Sequence, residues 1–482
     1  MTKARTQAAI LSISLDRTAK ASLQNQLLQA LRDLVHAGRL LPGARLPSSR
    51  NLAQELAVSR VTTTAVYEQL IAEGYLEGQQ RLGVFVASDL PNVPIRTNLA
   101  LQNVAEEPLA ANAPLPVFSV GYPDLAAFPY RNWTRGHDRI WRAPKSGVLG
   151  QSHPMGYGPL RSSIAAHLRE WRGIDCTARQ VVVTSGLADA LDVIARALLR
   201  RGDKVLVEEP GHKVLINALT HAGMACVPGP VDVNGIDLSA AEVERPRLSA
   251  VAVTPSRQYP LGITLSLVRR LELLDWAKSE DGLILEDDYD GEFRYQGQPL
   301  PAMMSLDTEE RVIYIGSFSK VMFPALRLGY MVLPERIISK VENILANTGP
   351  RAALMAQPVL SEFMKDGSLA THIRRMRRLY AERQKALIGA LKSHASGLLS
   401  AEAETGGMHL VAKLEPVVSA KAKDSQISEQ AKDLGIRAAP LSSFFMGHPR
   451  QQGLVLGYAA FAPDRLERAV RDTVQVIQEL ID

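Results

Sequence analysis

The chain has little cysteine, little net charge and no long apolar run. Two cysteines in 482 residues, Cys176 and Cys226, lack metal-type spacing; they exclude a disulfide framework and read as reduced, buried thiols. The formal net charge is only +5, which by itself names no polyanionic partner. No apolar stretch approaches the ~18–20 residues of a membrane helix. The basic start MTKARTQAAILSISL has neither an apolar core nor a cleavage site, so no signal peptide is expected and the protein is placed in the cytoplasm. No internal repeat is visible. What is present is an ordinary globular balance, 46% hydrophobic and 22% charged, over a length that suits two or three domains. Residues 1–90 carry ten Lys/Arg against seven Asp/Glu, a local excess of three that permits phosphate binding without demonstrating it.

Periodicity divides the chain. Leu23, Leu27, Leu31 and Leu34 form one apolar stripe and predict a helix over Ala21–Ala37. Pro42-Gly43 turns the chain. Ser48 caps a short helix over Ser49–Leu56, and Ser59 a third over Arg60–Glu73, stopped by Gly74. Tyr75–Glu77 and Val84–Val86 read as strands around a hairpin tip at Gly78–Gly83. Three helices and a two-stranded wing over residues 13–88 make a winged helix-turn-helix. Residues 89–116 hold scattered prolines and no stripe, and read as a linker. Residues 117–482 alternate short apolar runs with helical stretches, which predicts an α/β unit on a mainly parallel sheet with a smaller C-terminal subdomain.

Each of five apolar runs ends in polar or small residues: Thr184-Ser185-Gly186, Glu208-Glu209-Pro210-Gly211, Thr254-Pro255-Ser256, Glu286-Asp287-Asp288-Tyr289 and Gly316-Ser317-Phe318-Ser319-Lys320. Ligands of open parallel sheets bind beyond the carboxyl ends of the strands. A lysine there can bond covalently to an aldehyde cofactor, and a carboxylate can keep a pyridine nitrogen protonated. Ser185, Gly186 and Leu187 open a helix, whose free N–H groups suit a phosphate. Ser317 and Ser319 add hydroxyls, and Arg327 a forked cation.

These segments resemble known ones. Ser317–Lys320 followed by Pro324–Tyr330 looks like the cofactor-lysine segment of fold-type I aminotransferases. Glu286–Tyr295 is similar to the aspartate strand of the MocR group of GntR-type regulators. Leu46–Ala53, Val58–Thr62, Tyr67–Leu70 and Glu73–Leu76 resemble the GntR winged helix. The resemblance implies pyridoxal 5'-phosphate (PLP) carried on Lys320, with Asp287 at the pyridine nitrogen and Tyr289 at the ring oxygen. Ser185, Gly186, Leu187, Ser317, Ser319 and Arg327 would hold the phosphate. His212 stands where an aromatic stacks on the ring, or else is a solvent-facing loop histidine. The resemblance also implies a homodimer, and operator DNA upstream of a target operon as partner.

The chain departs from the pattern in places. Gln151 stands for a tyrosine that reaches the neighbouring subunit's phosphate. Arg257 replaces a histidine. Leu187-Ala188-Asp189 lacks the usual glutamine pair. Val455 takes the place of the arginine that holds a substrate carboxylate. Arg257 and Arg437 are the candidates to replace that clamp; either serves equally as a surface charge or a structural ion pair. In the DNA half, Arg60, Thr62 and Thr63 are the expected base readers on the third helix, which Ser59 opens. Arg45, Ser48 and Arg50 would position the backbone, and Arg81 on the wing would enter the minor groove. Ile373–Arg378 is a second basic cluster, expected on a solvated or interdomain helix face. The expectation is a PLP-dependent transcription regulator, an activator of a nearby catabolic or metabolic operon, sensing an amino acid, amine or related compound through an aldimine at Lys320. The alternative is an active aminotransferase with a DNA-binding appendage, and a third reading is a DNA-binding protein with no cofactor.

Overall fold

Three serines start the three helices of the N-terminal unit. Ser22, Ser48 and Ser59 each sit in extended conformation and accept an N–H three residues on, capping α1 (Leu23–His36), α2 (Ser49–Glu55) and α3 (Arg60–Ala72). Gly38 and Gly74 follow α1 and α3 with φ of +67° and +79°, a left-handed exit that L side chains resist. Leu27, Leu31 and Leu34 of α1 pack on Leu52, Val66, Tyr67 and Leu70. The wing is an antiparallel pair, β1 (Leu76–Gln79) and β2 (Gly83–Val86), in register Leu76↔Val86. Gly78 and Gln79, read from sequence as hairpin tip, are paired strand residues opposite Val84 and Gly83.

The structure, a computed structural model, describes Ile10 and residues 13–19, 21–79, 82–90, 114–144, 146–150, 153–240, 247–297 and 300–482. Most of the expected linker and two named positions, Arg81 and Gln151, lie outside the described residues. The chain divides into two units, residues 1–113 and 114–482.

The second unit is built on an eight-stranded sheet. Its strands in chain order are β3 (Val181–Thr184), β4 (Lys204–Glu209), β5 (Ala225–Asp232), β6 (Gly235–Ile236), β7 (Leu248–Val253), β8 (Leu283–Asp288), β9 (Val312–Ser317) and β10 (Gly329–Val332). Their spatial order is β3-β10-β9-β8-β7-β4-β5-β6. Only β10 and β6 run antiparallel to their neighbours. Helices α4 (Tyr130–Trp141), α5 (Gly158–Arg172), α6 (Leu187–Leu198), α7 (Lys213–His221), α8 (Leu267–Ser279) and α9 (Ile338–Thr348) surround it. Val205, Val207, Ile313 and Ile315 pack with α6, α7 and α9 on one face; Leu206, Val251, Val253 and Ile284 pack with α8 on the other. Burial of both faces is why these strands are apolar without alternation. Sequence periodicity did not anticipate β10, which lies between β3 and β9.

After α10 (Gln357–Lys365) and the long α11 (Ser368–His394), a small antiparallel sheet follows. It comprises β11 (Leu399–Ser400), β12 (His409–Leu414), β13 (Ala439–Pro440) and β14 (Gly453–Gly457), in the order β11-β12-β14-β13, with α12 (Asp424–Lys432) and α13 (Pro463–Ile481). Alternation along its strands is clean. Leu410, Ala412, Leu454 and Leu456 join the core of α11 and α13. Val411 and Val455 face the other way, into a cluster with Leu441 and Phe444.

Candidate functional site

The five strands β3, β4, β7, β8 and β9 run the same way, so the loops after them share one edge of the sheet. Lys320 lies three residues beyond β9. Its Nζ donates to the Gly121 carbonyl at 2.9 Å. Burial holds its pKa below the ordinary lysine value, against the opposing pull of Asp290 and Asp287. Gly121 has φ +80°, and a Cβ there would stand 2.4 Å from the lysine nitrogen. The segment Val117–Gly121 is a strap: Val117 bridges to Ile436 and Phe118 to Gly457, and Phe118 O accepts the Gly457 N–H at 3.0 Å.

Strand alternation sorts the carboxylates of β8. Asp287 faces His212, Oδ2 to Nδ1 at 3.2 Å. Glu286 and Asp288 point to the opposite face and are scaffolding rather than ligand groups, a correction to the expected convergence. Glu286 accepts the Met303 and Met304 N–H groups at 2.8 Å. Asp288 pairs with Arg172 at 2.7 Å and accepts from the Tyr314 hydroxyl at 2.6 Å. Glu208 on β4 likewise turns away and accepts from the Thr254 hydroxyl at 2.6 Å. Burial pushes the Glu208 and Glu286 carboxyls up to about 7. The His212 ring lies 4.7 Å from Tyr259, and Tyr259 meets Tyr289 edge-on at 5.4 Å, so His212 belongs to an aromatic wall rather than to a free loop.

Gly186 caps α6 with φ +125°, leaving the first N–H groups of the helix unbonded within it. Gly329 brings β10 against this turn: a Cβ on it would lie 3.1 Å from Gly186 Cα and 3.0 Å from Gly316 O. Arg327 precedes β10 in left-handed conformation, φ +50°, with an exposed guanidinium that has no side-chain partner among the described residues. The register Gly329↔Ser317 and Gly329↔Thr184 therefore gathers Ser185, Gly186, Leu187, Ser317, Ser319 and Arg327 from three strands. Ser317 Oγ accepts the Ser319 N–H at 3.2 Å.

Arg257 is fully committed. It reaches Asp290 at 3.3 Å and Glu404 through Nε at 3.0 Å, and donates to the Tyr289 hydroxyl at 3.0 Å. Burial works against its charge, but Glu404, Tyr289 and Asp290 outweigh it and raise its pKa. Arg437 is exposed, and among the described residues only its backbone N–H is engaged, with Val117 O. Val455 is fully buried among Val411, Leu441 and Phe444, beside the partly buried Val120, Tyr259, Leu261 and Phe445. The wall where an arginine clamp was sought is thus apolar. Of the basic cluster, Arg377 turns inward to lie over the Trp171 ring at 4.7 Å, while Arg374 and Arg378 stay exposed.

In the N-terminal unit, Arg60 is exposed on the first turn of α3; Arg45, bridged to Phe85 of the wing, and Arg50, on the first turn of α2, are exposed as well. Ser48 and Ser59 are helix caps, and Thr62 Oγ1 lies 2.7 Å from Ser59 Oγ. Thr63 is corrected: it is fully buried, its hydroxyl donating to Ser49 O and Arg60 O at 2.9 and 3.0 Å, so it ties α3 to α2 and presents nothing to a base. Sequence reasoning also missed Arg172, Arg351 and Glu404, whose partners are distant in sequence.

The family described as aminotransferase class I and II matches residues 122–471, and the bacterial regulatory proteins of the gntR family match residues 23–86. The chain is 37% identical over 468 residues to the probable rhizopine catabolism regulatory protein MocR of Rhizobium meliloti, covering 95% of this chain and 94% of that one. It is 31% identical over 464 residues to the HTH-type pyridoxine biosynthesis transcriptional regulator PdxR of Corynebacterium glutamicum, covering 95% and 96%. Among solved structures it resembles the kynurenine aminotransferase of Pyrococcus horikoshii, with a TM-score of 0.69 at 26% identity over 78% of this chain and 93% of that one. This fold takes PLP, and the residues present fit it: a lysine of lowered pKa at a strand end, a buried carboxylate beside an aromatic wall, and an arginine without a side-chain partner among the described residues beside an open helix N-terminus.

Proposed function

The chain belongs to the GntR-type bacterial regulators that carry an aminotransferase class I and II domain, and on that premise we propose how this DNA-binding, PLP-dependent regulator reads its signal. PLP supplies an aldehyde that accepts a primary amine and a ring that withdraws electrons. Lys320, kept readily deprotonated by burial, is the residue that carries the cofactor. Asp287 holds the pyridine nitrogen, Tyr289 the ring oxygen, and His212 covers one ring face. Ser185, Gly186, Leu187, Ser317, Ser319 and Arg327 hold the phosphate. Asp287 keeps its place because His212 and the strand hold it, and Tyr289 because Arg257 donates to its oxygen.

The observation that carries the sensor reading over turnover is the wall at Val455. The groups that would hold the cofactor are retained, while the arginine that would clamp an α-carboxylate is replaced: Val455 is apolar, Arg257 is spent on Asp290 and Glu404, and Lys213 meets this wall only as a cation over the Phe444 ring, 5.5 Å from its centre. The effector is an amino acid, amine or related compound held differently. Arg437, exposed and without a side-chain partner among the described residues, is the candidate for its far end. Relatives named for rhizopine catabolism and pyridoxine biosynthesis fit a regulator, here an activator, placed beside a small-molecule pathway in the cytoplasm. The α3 helix enters the major groove with Arg60 and Thr62 at base edges, and Arg45, Arg50 and the wing residue Arg81 contact the phosphodiester backbone or minor groove. Ser48 and Ser59 offer the same backbone their cap hydroxyls. The domains act as residues 13–88 and 117–482 across a linker at 89–116, in a homodimer.

A gel-shift titration of the full chain on its own upstream DNA, with PLP and a panel of amines, tests this. The expected result is a specific shift altered by one amine, with no sustained conversion of that amine and a keto acid. Steady turnover without any amine effect on DNA binding would replace the regulator reading with the enzyme.

A further inference from the structure

Asp189 places a negative charge where a phosphate is to be bound. It is the third residue of α6, and its Oδ2 accepts the Ser185 N–H at 2.9 Å. Ser185 therefore reaches the site with its backbone donor used and only its hydroxyl available. The bond fixes the turn that presents Gly186 and Leu187. It also sets a carboxylate inside the first helical turn, close enough to oppose a phosphate dianion at that terminus.

A cation from far along the chain answers this charge. Arg351 Nε donates to Asp189 Oδ1 at 2.6 Å, and its Nη2 to Asp192 Oδ2 at 2.8 Å. Arg351 is 26% exposed and Asp189 12%, so the pair is only partly screened by solvent. The loop that carries Arg351 is braced: Gln357 Nε2 donates to the Ala352 and Ala353 carbonyls, and Gln357 Oε1 accepts the Tyr157 N–H at 2.9 Å. The guanidinium is thus presented from a fixed position. We propose that Asp189 and Arg351 form a positioning pair for the cofactor's phosphate: Asp189 shapes the α6 turn, and Arg351 cancels the charge that would otherwise repel the ligand. The inference rests on the reading that the phosphate lies at the N-terminus of α6.

The test titrates the full-length protein with PLP and with pyridoxal, which lacks the phosphate, following the bound ligand by absorbance. Arg351→Gln is expected to weaken PLP on the order of tenfold, the size of a partly buried charge effect at a helix terminus. Pyridoxal should be unaffected. Asp189→Asn alone, whose side-chain oxygen still accepts the Ser185 N–H while the opposing charge is gone, should bind PLP more tightly than wild type, and Asp189→Asn with Arg351→Gln should recover most of the affinity lost by Arg351→Gln. Equal weakening of PLP and pyridoxal by Arg351→Gln, unchanged PLP binding, or a double variant no better than the single overturns the pairing. A wild-type protein that binds pyridoxal as tightly as PLP overturns the phosphate site itself, and the pair with it.

Discussion

Replacing Arg172 by methionine strands a buried carboxylate directly beside the residue assigned to the pyridine nitrogen. Arg172 and Asp288 are each 2% exposed and 2.7 Å apart. Arg172 also donates to Leu300 O at 2.8 Å and contacts the Ser256 hydroxyl, which ties the loop after β7 to β8. Methionine preserves most of the stem, so little packing is lost. What remains is Asp288 with the Tyr314 and Ser256 hydroxyls and no directly paired cation, Arg270 acting on it only through space. Breaking a buried pair in this way costs roughly 3–5 kcal/mol, since the stranded charge keeps its desolvation penalty. At about 2 cal/mol/K of unfolding entropy per residue, that lowers the Tm of a unit of this size by roughly 4–7 °C. Asp288→Asn in the same protein should recover most of the loss, because the asparagine oxygen still accepts from Tyr314 and no charge is stranded. Thermal unfolding of the cofactor-free protein, followed by circular dichroism, reads both. An Arg172→Met protein that melts within ~1 °C of wild type would show that β8 does not depend on this pair, and the argument would fail.

Gly121→Ala should impair cofactor loading, because its φ of +80° strains any L side chain by about 1–2 kcal/mol and the new Cβ crowds Lys320; PLP titration reads the loss. Arg60→Ala should cost about 1–3 kcal/mol in operator affinity in a gel shift, while PLP binding holds. Thr63→Val should instead lower the stability of the N-terminal unit by about 1 kcal/mol through two lost hydrogen bonds, with sequence preference retained; altered base preference would return Thr63 to the groove. Glu208, lifted by burial to about 7, binds a proton in the folded state that the unfolded chain releases near its ordinary value. Its contribution is therefore full below that ordinary value and lost as pH rises through about 7. Glu208→Gln should flatten the fall in Tm between acidic and neutral pH.

The winged helix was legible because its signals are local. Ser48 and Ser59 cap within three residues, and Leu27, Leu31 and Leu34 declare a face without reference to the rest of the chain; the cap at Ser22 falls inside the helix expected over Ala21–Ala37. The strand cores were equally plain, as was the run ending in Lys320. What escaped depends on distant pairing. β10 is four residues long, and its antiparallel placement is set by β3 and β9. The polar groups at the strand ends were expected to converge, whereas the carboxylates of β8 lie within the strand and are sorted by a two-residue alternation into Asp287 on one face and Glu286 and Asp288 on the other. Thr63 sits in the right segment for a base reader but on the inward side of α3, a distinction that only α2 packing against it decides. Arg257 looked available until Glu404, 147 residues on, closed upon it.

The strap Val117–Gly121 makes a bond at one nitrogen felt along the main chain. While Lys320 is free, its Nζ gives the Gly121 carbonyl its hydrogen bond. On the proposed reading, a nitrogen bonded to the cofactor would no longer be free to donate in the same way, and the carbonyl would need another donor or would turn. The carbonyl belongs to the first described stretch of chain after the region that joins the two units. Only four residues separate Gly121 from Pro116, and Phe118 and Val117 are pinned to Gly457 and Ile436 on the way. On the proposed reading, loading of the lysine would be felt first in this strap, through the backbone and not through side chains.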